Sequence, residues 1–380
     1  MSLSKDTTEP ETKRANQSES DENEDRLSGL PDCLILHILS FVKCRDAVRT
    51  CILSKRWKCI WKRMSILVLH ASDFGTIKMF TRFVTRLLFL RDGSTALRAL
   101  DFKHDGVIES PFLKQVLKYA VSQNIQRLGI DVQSDDQLLP GISSRVFSCQ
   151  ALTSLRLSVR SKNYSDEKII FPKSLNLPAL TRLHISNIVF CASRGSDRAE
   201  PFSTLNRLDY LFIGPYTLRD ARFLCVSSTT VSSLTFQSCC CSSKIVLSTP
   251  NLCSFAFSGV TCHDLSGSCL SSIEQVYIDA NTLYLSSEPP LILLNILKEL
   301  TNVRSMTVTV NTLQIKLPSL GNLKSLRVKM EPLSRAVIES LGPFNTRIAQ
   351  KTMQNSPTIP RGILDFLLQN SRSSKVVIMK

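Results

Sequence analysis

The chain has 380 residues, 43% of them hydrophobic and 21% charged, with a formal net charge of +15. That apolar content supplies cores for two or three domains or one long repeat array, and it excludes disorder throughout. No apolar run reaches the ~18 residues needed to span a bilayer, and the polar, acidic first residues do not read as a secretory leader for the 13 cysteines. A soluble protein of the nucleus or cytoplasm, with reduced cysteines and no membrane partner, is expected.

Residues 1–25 hold eight acidic and three basic side chains and few apolar ones. They read as a solvated, disordered tail. Without them the chain keeps 44 Lys and Arg against 24 Asp and Glu, a balance near +20. Such a field favours polyanions or acidic protein surfaces without choosing between them.

The stretch LPDCLILHILSFVKCRDAVRTCILSKRWKCIW, residues 30–61, contains both tryptophans and a dense basic cluster. Its periodicity predicts three short helices over residues 30–64. Pro31 suits a first helical turn and Asp32 the positive helix end. Leu34, Ile35, Ile38 and Leu39 then form one apolar face, extended by Phe41. Asp46 is the expected N-cap of a second helix carrying Val48, Cys51 and Ile52, and Ser54 that of a third. In the third, Trp57, Ile60, Trp61 and Met64 fall at i, i+3, i+4 and i+7. Three helices of this length cannot hide so many large apolar groups among themselves. Part of that surface is docked on the rest of the chain or offered to another protein.

From residue 97 onward one pattern recurs: a Leu-like residue, two variable ones, another, one variable, another. The copies are LRALDF, IQRLGI, LTSLRL, LTRLHI, LDYLFI, VSSLTF, LCSFAF, IEQVYI, VRSMTV and LKSLRV. They start at 97, 125, 152, 180, 208, 231, 252, 273, 303 and 323. A strand plus a helical or irregular return every ~20–29 residues is the leucine-rich-repeat pattern. No unit can bury its apolar face alone, so neighbours stack into a curved solenoid with a parallel sheet.

Helical returns are predicted early. Ile77, Phe80, Val84, Leu87 and Leu88 share one face, as do Phe112, Leu113, Val116, Leu117 and Ala120. The later spacers, around 214–230 and 237–251, are short and rich in Ser, Thr and Cys, and should be turns and extended returns. The rival, a doubly wound α/β sheet, usually carries a glycine-rich phosphate turn. This chain has neither G-x-G-x-x-G nor G-x-x-x-x-G-K-[ST].

The segment LSGLPDCLILHILSFV…RDAVRTCILSKRWKCIWKRM resembles the F-box of plant F-box/leucine-rich-repeat proteins. The matching pieces are Leu30-Pro31, Leu34-Ile35…Ile38-Leu39-Ser40-Phe41, Asp46-Ala47-Val48-Arg49-Thr50 and Leu53-Ser54-Lys55-Arg56-Trp57…Trp61. Downstream, FPKSLNLPALTRLHI, LSTPNLCSFAFSG and the terminal GILDFLLQNSRSSKVVIM also look like that family. The sequence departs at Val42-Lys43, where members commonly have Leu-Pro, a change expected to loosen the start of the second helix.

The resemblance implies an α/β chain in which a small three-helix F-box precedes a leucine-rich-repeat solenoid with a curved parallel sheet. Its segments would be an acidic tail (1–25), the F-box (26–66), the solenoid (67–330) and an FBD-like capping segment (331–380). It further implies a substrate-recognition subunit of a Skp–cullin–F-box ubiquitin ligase, itself without catalysis, that binds a Skp-type adaptor and through it a cullin. The adaptor-binding positions would come from Leu30, Pro31, Leu34, Ile35, Ile38, Leu39, Val48, Leu53, Trp57 and Trp61, a set that mixes contact and internal packing.

In L-x-x-L-x-L strands the Leu-like residues point inward and those between them outward. That rule selects Arg127 and Asp131, Arg156 and Ser158, Arg182 and His184, Tyr210 and Phe212, Thr235, Tyr277 and Asp279, then Arg327 and Lys329; of these, Arg156, Arg182, Tyr210, Phe212, Tyr277 and Arg327 are assigned to the target protein. Aromatic anchors among cations suit a partner with an acidic or phosphorylated segment. The cluster Lys55, Arg56, Lys58, Lys62 and Arg63 alternates with Trp57, Ile60 and Trp61, whose burial would turn it away from a DNA groove. A basic nucleic-acid-associated protein, or a repeat scaffold outside any ligase, is the alternative reading. With no H-E-x-x-H and no G-x-S-x-G, catalysis is not expected. The sole candidate metal cluster, Cys239, Cys240 and Cys241 with Cys262, His263 and Cys269, lacks paired zinc spacing, so neither metal nor cofactor is expected.

Overall fold

The structure, a computed structural model, describes residues 29–134, 146–161, 169–193, 195–238, 244–260, 264–267, 270–281, 300–309, 312, 322–329 and 375–379. The acidic tail, the cysteine run at 239–241 and residues 331–374 lie outside them.

Three short helices come first: α1 (Asp32–Leu39), α2 (Cys44–Arg49) and α3 (Trp57–Ile60), with 3-10 turns at Thr50–Ile52 and Trp61–Arg63. Pro31 caps α1 from an extended conformation, one position before the helix proper. Two expected caps are corrected. α2 begins at Cys44 with Lys43 at its N-cap, so Asp46 lies inside the first turn, where its charge still meets the positive helix end. Ser54 precedes α3 by too much to cap it; its carbonyl instead accepts from the Lys58 N–H. Met64 is extended rather than helical. Even so, Trp57, Ile60, Trp61 and Met64 are all buried, as their spacing requires, together with Ile35, Leu39, Cys44 and Ala47.

Every copy of the repeated pattern forms a strand of one twelve-stranded sheet, from Ala99–Ile108 to Ser325–Lys329. All of its pairings are parallel. The copies stand in phase, so that Leu100, Leu128, Leu155, Leu183 and Leu211 share one register row. A slip of one residue would turn each strand's apolar set outward, which holds this register firmly. All three Leu-like positions of every copy are buried, each worth about 2 kcal/mol of transfer free energy.

Two strands extend the sheet beyond the ten copies: Ile66–His70 at one edge and Lys375–Met379 at the other. Met64, Leu67 and Leu69 are buried with the repeat's own spacing, so an earlier copy of the pattern begins inside the helical module.

The early returns are helical. α4 (Ile77–Leu90) starts at Thr76, whose hydroxyl accepts from the Met79 N–H at 3.2 Å. It buries Phe80, Val84 and Leu87, with Ile77 exposed and Leu88 half-buried. α5 (Ser110–Ser122) buries Leu113, Val116, Leu117 and Ala120, and half-buries Phe112. The later returns are extended, as their composition predicts. They stack into a three-stranded sheet (Ile169–Ile170, Ile188–Cys191, Tyr216–Arg219) and a four-stranded one (Arg198–Ala199, Phe223–Ser227, Lys244–Ser248, Asp264–Gly267). Asn187 turns the chain from the main sheet into the first of these at φ 58°, a left-handed conformation that asparagine tolerates.

Side chains also tie repeat to repeat. Asn251, Asn302 and Asn322 each donate to a carbonyl of the preceding unit, at 2.7, 2.7 and 2.9 Å. These bonds satisfy backbone oxygens that no strand partner reaches. Among the described residues, no helix is long and apolar enough to cross a membrane.

Candidate functional site

Two surfaces stand out, one on the helical module and one on the inner face of the solenoid. On the module, the single apolar face expected for α1 divides in two. Ile35 and Leu39 turn inward, while Leu34 (47% exposed), Ile38 (40%) and Phe41 (78%) face water. The turn after α2 adds Ile52 at 84% and Leu53 at 59%. Of the ten expected contact positions, Ile35, Leu39, Trp57 and Trp61 build the interior; Pro31, Leu34, Ile38 and Leu53 are exposed; Leu30 and Val48 are half-buried. Phe41 and Ile52 were not in that set, although both sit at helix ends where a large apolar side chain finds few neighbours. So many large apolar groups of one small module therefore stay in contact with water, where burial would be favourable.

The basic cluster beside this face is partly engaged. Arg56 donates from Nε to Asp32 Oδ1 at 3.0 Å and from Nη2 to the Leu30 carbonyl, while Arg63 donates to Asp32 Oδ2 at 2.9 Å. The hydrogen bond from Arg56 holds the Asp32 carboxyl below the usual carboxylate range. Together these bonds pin the Leu30–Pro31 segment against α3. Arg56 and Asp32 are 24 positions apart, so nothing in local periodicity revealed the pairing.

A second set of contacts fixes the module to the sheet. Lys43 pairs with Asp73, and the Arg45 guanidinium lies over the Phe74 ring at 5.5 Å. The Val68 N–H donates to Cys44 Sγ at 3.1 Å, and burial pushes the Cys44 thiol up to about 11, so it stays neutral. The buried Arg91, just after α4, donates to the Met64 carbonyl from Nε and Nη2 at 3.1 and 3.0 Å. Lys43 therefore ties down the start of α2, where the missing proline was expected to loosen it.

On the inner face, the residues between the Leu-like positions line up across strands. One row runs Asp101, Gly129, Arg156, His184 and Phe212. Because Gly129 has no side chain, Arg156 reaches over it to form an ion pair with Asp101. A Cβ there would sit 2.7 Å from Asp101 Oδ1. Arg156, expected to meet the target protein, is thus already paired within the chain. His184 stacks on Phe212 with centroids 3.7 Å apart and planes 5° from parallel. Burial, aided by the Arg156 charge, holds the His184 imidazole down to about 4, neutral at physiological pH.

The adjacent row runs Ala99, Arg127, Ser154, Arg182 and Tyr210. Arg127, Ser154, Arg156, Arg182, His184 and Tyr210 help line an open groove of about 400 Å³. Farther along, Tyr277 and Arg327 flank Thr307 in register, and the Lys329 ammonium lies 5.3 Å from the Tyr277 ring centroid. The six expected target residues therefore form two groups. Between them lie two strands bearing the small side chains Ser233, Thr235, Ser254 and Ala256. Among the described residues, no cluster of His, Cys, Asp and Glu could hold a metal ion; the cysteines of the candidate cluster lie outside them.

Comparison with known proteins adds one family match and three relatives. Residues 27–69 match the F-box domain family. The chain is 33% identical over 180 residues to an FBD-associated F-box protein of Arabidopsis thaliana, covering 46% of this chain and 38% of that relative. It is 25% identical over 222 residues to an Arabidopsis F-box/FBD/LRR-repeat protein (56% of this chain, 46% of the relative) and 24% identical over 337 residues to an Arabidopsis F-box protein (80% and 77%). The chain thus spans less than half the length of the first two of these relatives.

Proposed function

We propose, from the premise that this chain carries an F-box domain at its N-terminus and is related to F-box/FBD/LRR-repeat proteins of Arabidopsis, that it recruits a target protein to a Skp–cullin–F-box ubiquitin ligase. One observation carries this reading: Leu34, Ile38, Phe41, Ile52 and Leu53 remain in water beside a well-packed F-box interior. A Skp-type adaptor that covers them, together with Leu30 and Pro31, removes that apolar area from water and so gains affinity. The cullin joins through the adaptor. Arg156, Arg182, Tyr210, Phe212, Tyr277 and Arg327 on the inner face meet the target.

In this role the chain contributes proximity, and ubiquitin transfer is carried out by other subunits. It acts in the nucleus or cytoplasm, where such ligases work. The decisive measurement is capture of a purified Skp-type adaptor by the full chain and by an Ile52→Asp, Leu53→Asp variant. The wild type captures it; the variant, with charge placed in the contact and circular dichroism unchanged, loses at least about a hundredfold in affinity. A wild-type chain that ignores the adaptor, or a folded variant that binds it equally well, sinks the proposal.

A further inference from the structure

We propose that the groove over Ser154 receives a phosphorylated serine or threonine side chain of the target. This rests on the inner face being the target-binding surface, and it goes beyond that reading by naming the chemistry recognised. Arg127 and Arg182 sit in the same register row on either side of Ser154. Two strand spacings put their Cα atoms about 10 Å apart, within reach of one tetrahedral group for two extended guanidinium side chains. Both are exposed, and neither meets a carboxylate among the described residues.

The nearby acids are committed elsewhere. Asp101 pairs with Arg156 and faces His70, while Asp131 pairs with Arg160 and Lys103. The positive charge of the Arg127–Arg182 pair is therefore left for a ligand. A phosphoryl group carries about −1.5 to −2 charges and three acceptor oxygens, a match for two guanidinium forks. A carboxylate supplies only one charge and leaves one arginine uncompensated. The Ser154 hydroxyl, half-buried between them, adds a donor at the base of the groove.

The flanks suit an extended peptide. Tyr210 closes the row, and the stacked, neutral His184–Phe212 pair offers an apolar platform beside it. Beyond lies the low trough of Ser233, Thr235, Ser254 and Ala256, in which peptide side chains meet little obstruction. Polynucleotide binding draws on many evenly placed phosphate contacts, whereas the groove offers a single bracketed position.

The test presents three degenerate peptide libraries, with a fixed central phosphoserine, serine or glutamate, to the full chain held on its adaptor. The phosphoserine library is expected to be retained at least about tenfold over the other two. Arg127→Ala with Arg182→Ala abolishes that preference while adaptor capture stays intact, and Arg82→Ala, at an exposed position of α4, leaves it in place. Equal retention of serine and phosphoserine libraries, glutamate retained as well as phosphoserine, or a preference that survives the double substitution overturns the proposal. Displacement of the phosphoserine library by an equal concentration of single-stranded oligonucleotide also overturns it, reassigning the groove to nucleic acid. Failure of the wild-type chain to bind adaptor counts against the ligase reading alone, because the libraries can be presented equally to the chain by itself.

Discussion

The F-box and the inner face of the solenoid are both exposed, yet they are built from opposite materials. The F-box leaves Phe41 and Ile52 almost fully in water. The inner face instead shows paired ions, hydroxyls and a stacked His–Phe pair. Apolar surface gives affinity that is indifferent to detail, which suits one constant partner. Placed charges discriminate, because a mismatched partner leaves them desolvated and unpaired. On the function proposed above, the first would be a fixed attachment and the second a selective grip.

The sharpest way to break this comparison uses two neighbours on α1. Ile35 is fully buried and Leu34 is not. Ile35→Ala is expected to cost about 2–4 kcal/mol of stability by urea unfolding. Leu34→Ala should stay within about 0.5 kcal/mol of wild type in the same assay, yet weaken adaptor binding about tenfold by calorimetry. If the two variants behave alike, the division of α1 into an inner and an outer face is wrong.

The inner face gives the smaller effects. His184 is held below its ordinary 6.5, to about 4, in the folded chain. The unfolded chain therefore takes up a proton first, and stability is present above 6.5 and lost as pH falls through that window. The loss is expected to be about 1–2 kcal/mol, discounted for partial exposure. It is read from melting curves, and His184→Phe should flatten it. Smallest is Gly129→Ala, whose Cβ displaces the Asp101 carboxylate from Arg156 at about 1 kcal/mol. Gly75→Ala, with nothing within 4 Å, is the control; equal melting temperatures for the two would remove the bridging role given to Gly129.

Much of this architecture could be read from residue spacing. All ten copies beginning at Leu97 became strands, because three apolar positions with gaps of two and one fit a pleated strand with one buried side. The copy at Met64 was hidden, since Met64 also continues the helical spacing of Trp57, Ile60 and Trp61. Either period explains its burial, and the backbone at Met64 is extended, leading into the strand at Ile66. The site was less legible. Arg156 meets Asp101 across 55 positions, and only because an intervening strand carries glycine. Arg56 was read only as one member of the basic cluster beside the tryptophans, yet it braces Leu30. Such pairings depend on which repeats become neighbours and how far apart they stand, and a single-strand motif contains neither.

The strand Ile66–His70 leaves no seam at which to part the chain. The F-box match ends within it, at residue 69, while its backbone bonds belong to the sheet. A fragment cut at Ile66 would lose Leu67 and Leu69 from its interior, the Val68 N–H from Cys44 and the Arg91 guanidinium from the Met64 carbonyl. The two modules should melt together with the first repeats as one cooperative unit. On the function proposed here, truncation would then yield no free F-box able to occupy adaptor without a target. A damaged copy would be silent, never a decoy.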